Sequence, residues 1–160
     1  MSLIMVHHFL AGTPLTAEDA EGELLALIAW LERQGLPHDI DIATLARVAT
    51  EYYGYSATVR TGADVTEDAI RDALASGSPV IIPAQGQELG NPYFSGDGPP
   101  YHMLVITGID GDVFVTNDPG TKRGRNYRYD KRVLLDAIHD WNGSKETVAT
   151  APRAMLVLHP

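Results

Sequence analysis

Tyr101-His102-Met103-Leu104-Val105-Ile106-Thr107-Gly108 and Val113-Phe114-Val115-Thr116-Asn117-Asp118-Pro119-Gly120 are two apolar runs joined by Ile109-Asp110-Gly111-Asp112. A histidine opens the first run and an aspartate closes the second. The Asp110-Gly111 step between them signals a hairpin, because glycine supplies the positive φ that tight turns demand. The hairpin carries His102 and Asp118 to its open end. The chain therefore reads as strand-rich from this point onward.

Upstream of the hairpin the pattern is helical. Residues 2–10 form an apolar stretch stopped by Gly12-Thr13-Pro14. Thr16, with Glu18 and Asp19 behind it, opens a second helix whose Leu24, Leu27, Ile28 and Leu31 recur at helical spacing, with Gly35 as its stop. Asp41 caps a third helix through Leu45, Val48, Ala49 and Tyr52, ended by Gly54. A short strand at Ala57-Thr58-Val59 follows, then a helix capped by Thr66 and closed by Gly77.

Downstream the order changes. Pro79-Val80-Ile81-Ile82 reads as a buried strand, and residues 83–101 as a long Gly- and Pro-rich loop. Loops of that length inside a compact domain are functional or disordered. Residues 84–100 are expected to be mobile, solvent-facing and adjacent to His102. Tyr127-Arg128-Tyr129 reads as an edge strand, Asp130 as the cap of a helix running to Trp141, and Ala154-Met155-Leu156-Val157-Leu158 as a final strand. Helices first and strands later predict an α+β fold rather than alternating βαβ units.

Composition narrows the function classes. The 160 residues suit one domain, and 44% apolar residues suffice for a core. A formal net charge of -9 argues against nucleic-acid binding, since a phosphate backbone asks for a basic surface. Lys122-Arg123-Gly124-Arg125 is the exception, either a solvated loop or a contact for an acidic ligand. No apolar run is long enough to span a bilayer. There is no cysteine, which excludes disulfides and cysteine-ligated zinc. No signal peptide is visible, and the compartment stays open.

His102 and Asp118 supply two parts of a nucleophile–base–orienter triad. Their meeting depends on register. A strict two-residue turn that pairs Ile109 with Asp112 turns Asp118 to the other face. A three-residue connection or a bulge sets Asp118 opposite Leu104, diagonal to His102 on one face. An ordinary hairpin with polar ends has the same spacing, and the sequence leaves both open. Tyr93 and Phe94 read either as recognition contacts or as anchors of the loop. His7 and His8 are adjacent on a helix and cannot chelate one metal as an i, i+4 pair would. His139 and Asp140 read as structural groups near a helix end. The Gly-rich loop lacks the lysine of a phosphate cradle, and no metal or cofactor is expected.

Several segments together resemble the C39-like peptidase family, a papain-like group, over nearly the whole chain. They are Ser2-Leu3-Ile4-Met5-Val6-His7, Gly77-Ser78-Pro79-Val80-Ile81-Ile82-Pro83, Gly90-Asn91-Pro92, Gly96-Asp97-Gly98-Pro99, Tyr101-His102-Met103-Leu104-Val105, Asn117-Asp118-Pro119-Gly120-Thr121 and Ala137-Ile138-His139-Asp140-Trp141-Asn142. The resemblance implies a papain-like fold, helices on an antiparallel sheet, in one domain over 1–160. It implies His102 as general base and Asp118 as its orienting partner. Tyr93, Phe94 and Tyr101 become candidate contacts to a peptide or protein substrate. The family's nucleophilic cysteine belongs a few residues before Ser2, and its oxyanion-hole glutamine further upstream; neither is in this sequence. Ser2 falls after the nucleophile's place. The expectation is a domain incomplete at its N-terminus, inactive as it stands. The alternative is a pseudoenzyme that binds an extended peptide without cleaving it.

Overall fold

A computed structural model describes all 160 residues. Three helices come first: α1 Ser2–Ala11, α2 Ala17–Arg33 and α3 Ile42–Tyr53. Then follow β1 Ser56–Thr61, α4 Glu67–Ala75, β2 Val80–Ala84, β3 His102–Asp110, β4 Val113–Asn117, β5 Tyr127–Asp130, α5 Lys131–Ala137 and β6 Ala154–His159. The strands form one sheet in the order β1-β6-β2-β3-β4-β5, with every neighbouring pair antiparallel. The α+β architecture expected from the element order is therefore the one observed, and the Tyr127 strand is an edge. No helix is long and apolar enough to cross a membrane.

Caps fix the helix starts as the sequence implies. Thr16, Asp41 and Thr66 each accept the backbone N–H three residues on, at 3.1, 2.7 and 3.1 Å. Alternation along the strands divides the interior in two. Ile81, Val105 and Leu156 pack with Leu3, Ile4 and Val6 of α1 and Val48 of α3 on one face of the sheet. Val80, Ile82, Leu104, Ile106 and Phe114 pack with Ile70 of α4 and Leu134 of α5 on the other. β2 is buried at every position because it has helices on both faces and a strand on each side.

Three local expectations need correction. The turn lies at Gly111-Asp112, one residue later than the Asp110-Gly111 step, because Asp110 pairs with Val113. Gly111 takes φ 56° while Asp112 keeps a negative φ, the pattern of a type II′ turn. The helix capped by Asp130 stops at Ala137, not Trp141. The Ala137 carbonyl accepts the Gln85 N–H at 2.9 Å and Asp140 donates its N–H to Pro152, so Ile138 is buried by an extended segment. His139 and Asp140 consequently lie in the extended segment just past the end of α5. The 83–101 loop is only partly solvent-facing: Gly86–Leu89 forms a 3-10 turn, and Gly86, Leu89 and Asn91 are buried.

Candidate active site

A β-bulge brings His102 and Asp118 together. Near the turn Ile109 pairs with Phe114 and Gly108 with Val115; beyond a shift between Ile106 and Gly108, Ile106 pairs with Thr116 and Val105 with Asn117. The extra residue moves Asp118 opposite Leu104 and onto the face that carries His102. The His102 Nε2 lies 2.6 Å from Asp118 Oδ1. Of the two routes open to the sequence, the molecule uses the bulge.

Asp118 is 2% exposed and its two carboxylate oxygens have three hydrogen-bond partners. Oδ1 meets the imidazole and accepts the Gly120 N–H at 3.1 Å. Oδ2 accepts the Tyr129 hydroxyl at 2.7 Å, and Asn91 Nδ2 reaches that same hydroxyl at 2.6 Å. Burial alone would push the carboxyl up, but the hydrogen bond and charge of His102, with the bonds from Tyr129 and Gly120, hold it below the usual carboxylate range. For Tyr129 the same burial and the bond to Asp118 push the phenol well above its ordinary value, so it stays a donor. His102 Nδ1 has no hydrogen-bond partner in the protein.

His102 borders a cleft of about 410 Å³. Its walls are the first residues of α1, Leu24, Leu27, Ile28 and Leu31 of α2, Tyr101, Met103 and the Pro119-Gly120 turn. This explains why Leu24 and Ile28 are only half-buried although they share the apolar face of α2: they line the cleft, while Leu27 and Leu31 are buried. The α1 face is likewise covered, with Leu3, Ile4 and Val6 at 2%, 0% and 0% exposure, and Phe9 is the one large apolar side chain of that helix exposed to solvent.

The candidate contacts separate. Tyr101 lines the cleft, its hydroxyl donating to the Ile40 carbonyl at 2.8 Å and its ring against Trp141. Phe94 meets the His102 ring edge-on, centroids 5.5 Å apart. Tyr93 turns instead to Tyr127, beneath the Arg123 guanidinium at 5.0 Å. Ser2 is buried beside the cleft, but its hydroxyl donates to the Met103 carbonyl at 2.9 Å and not to His102. His7 and His8 are occupied separately, by Tyr55 at 2.8 Å and by Glu23 at 2.7 Å with Thr13 at 2.9 Å.

Local sequence does not mark Tyr129, Asn91 or Gly120 as parts of the site. Asn91 and Tyr129 stand far apart in the chain, in a loop and on an edge strand, and no local periodicity links them. A polar amide inside a Gly- and Pro-rich run was the one available hint.

Comparison with known proteins adds the following. Residues 35–148 match the model of the Peptidase_C39 like family. Among solved structures, a chain from Bacillus anthracis described as a C39-like peptidase is similar at 15% identity and a TM-score of 0.49, over 72% of this chain. The present chain spans 57% of that structure's length. No curated protein matches the sequence.

Proposed function

This chain belongs to the Peptidase_C39 like family, and we propose that its 160 residues act as one peptidase-type domain that holds a peptide in the cleft beside His102. The observation that carries this reading is the pairing of His102 Nε2 with a buried carboxylate at 2.6 Å, which leaves Nδ1 unpartnered next to an apolar cleft. Tyr101, which lines the cleft, and Phe94, which meets the ring edge-on, are the contacts for the peptide; Tyr93 holds the loop that carries Phe94.

The chemistry assigned to the pair is that of a general base with its orienting partner. His102 Nδ1 takes the proton of a thiol, and the thiolate attacks a peptide or isopeptide carbonyl. The Asp118 carboxylate stabilises the imidazolium formed, which then returns the proton to the leaving amine. Water next attacks the acyl-thiol, giving up a proton to the same nitrogen, and the thiol is regenerated. None of the 160 residues is a cysteine, and the Ser2 hydroxyl is engaged elsewhere, so this sequence alone binds without hydrolysing. The second reading is a domain that binds an extended peptide without cleaving it, and what favours it is the Ser2 hydroxyl being engaged away from His102.

The test compares the 160-residue chain with a form extended in frame through whatever codons precede Met1 in its gene. Hydrolysis of a peptide library by the extended form only, blocked by iodoacetamide, supports the peptidase reading. Binding without turnover in both forms establishes the second. Equal turnover in both, unaffected by alkylation, overturns the assignment of a thiol mechanism.

A further inference from the structure

We propose that Asn91 and Tyr129 are positioning residues that fix the tautomer of His102 through a one-way chain of hydrogen bonds. The significance of that tautomer for catalysis rests on the reading of His102 as a base; the chain itself does not.

The argument starts from a group that can only donate. The Tyr93 backbone N–H lies 2.9 Å from Asn91 Oδ1, which fixes which way round the buried amide sits. Asn91 Nδ2 then faces the Tyr129 oxygen at 2.6 Å, and an amide nitrogen can only donate. Tyr129 has a single proton. With its oxygen accepting from Asn91, that proton points along the 2.7 Å contact to Asp118 Oδ2. The other carboxylate oxygen accepts from a second obligate donor, the Gly120 N–H at 3.1 Å. With donors on both oxygens and the ring beside it, the Asp118 carboxyl is held ionised and has no proton of its own to give. The 2.6 Å contact to His102 must therefore be donated by the ring, so Nε2 carries hydrogen and Nδ1 carries the lone pair.

Each link is needed. Tyr129 is 3% exposed, Asn91 6% and Asp118 2%, so water cannot substitute for a missing donor without opening the interior. The register also matters: Tyr129 pairs with Phe114 across β4 and β5, and so lies on the face that carries Asp118. Because Asn91 and Tyr93 belong to the loop that carries Phe94, the same chain ties the loop's conformation to the ring's protonation pattern.

The test is long-range 1H–15N correlation of the His102 ring, on the 160-residue chain. In the native protein at a pH where the ring is neutral, Nε2 is expected at the shift of a protonated nitrogen and Nδ1 at that of an unprotonated one. Equal populations, or the opposite tautomer, would overturn the proposal outright. Asn91→Asp replaces the amide donor by an acceptor and draws the Tyr129 proton away from Asp118. Having lost that donor, Asp118 is expected to take up a proton from solvent at least about one pH unit higher, and as a weaker partner for Nε2–H it should let the share of the Nδ1–H tautomer rise. Tyr129→Phe removes one donor, and the Asp118 carboxyl, followed by 13C, should titrate at least about one pH unit higher. An unchanged ring tautomer in a folded Asn91→Asp protein, or an unmoved carboxyl in Tyr129→Phe, would show that the two residues only fill space. A fixed native tautomer with no peptide binding would sink the functional reading and leave the relay intact.

Discussion

Gly120 and the His102 ring occupy almost the same space. A Cβ at Gly120 would stand 2.5 Å from His102 Cε1, far inside contact distance, so the turn after Asp118 admits only glycine while the ring keeps its place. Gly120→Ala is expected to push the imidazole off Asp118, costing roughly 1–3 kcal/mol as overpacking does. Urea unfolding gives the cost, and loss of the hydrogen-bonded Nε2–H proton signal reports the displacement. A native signal in the variant would disprove the close fit. Asp118 also makes stability depend on pH. Its carboxyl is held below the ordinary value, so its contribution is complete above about pH 3.9 and is lost as pH falls through the lower folded value. Asp118→Asn should flatten the acid side of the stability curve in that window. Asp140, pushed up chiefly by burial, changes the slope in the opposite sense, so the comparison is best made in the Asp140→Asn background. An acid limb equally steep with and without Asp118 would count against the pairing.

Among the elements, α3 has the most demanding start. Its N-terminus takes two carboxylates: Asp41 accepts the Thr44 N–H at 2.7 Å, and Asp140, distant in sequence, accepts the Ile42 N–H at 3.0 Å. Asp41 also raises the Asp140 carboxyl through charge repulsion, after burial. Asp41→Ala and Asp140→Ala should each cost about 1 kcal/mol by chemical denaturation, as cap removals do. The double variant should depart from the sum, because the two acids share one helix end. Strict additivity would mean that they do not sense each other. The bulge in β3 shows the same dependence on a partner. Thr107 is exposed and donates its hydroxyl to the Val115 carbonyl at 3.2 Å, yet nothing in its own neighbours marks it as the extra residue. The two-residue turn and the burial of Ile106, Phe114 and Thr116 on one face together require it.

Across the whole molecule, stability is graded along the sheet. β2 and the middle of β3 and β6 lie between two apolar layers, whereas β1 is an edge with exposed side chains. Amide exchange should be slowest at Val80–Ile82, Leu104–Ile106 and Leu156, and faster along the outer side of β1 and through residues 95–98. The buried half of the 83–101 loop, around Leu89 and Asn91, should exchange more slowly than its tip. Uniform protection from Gln85 to Pro100 would contradict this division. Truncating Leu104, fully buried opposite Asp118, should cost about 2–5 kcal/mol as Leu104→Ala and loosen the site with the core.

Caps, stops and apolar spacing lie within a few residues of one another, so the sequence by itself determined the helices at Thr16, Asp41 and Thr66, the strands, their α+β order and the hairpin with His102 and Asp118 at its open end. These are local effects of backbone hydrogen bonding and side-chain period, and they survive without knowledge of the rest of the chain. The apolar run after Asp130 misled because Ile138 is buried equally well by an extended segment; burial, not helicity, was what its spacing encoded. Only the tertiary structure decided the bulge, the end of α5 at Ala137, the second cap of α3 from Asp140 and the placing of Asn91 and Tyr129 behind Asp118. Each of these is a contact between distant residues, chosen by which polar groups must find partners once the layers on the two faces of the sheet are closed.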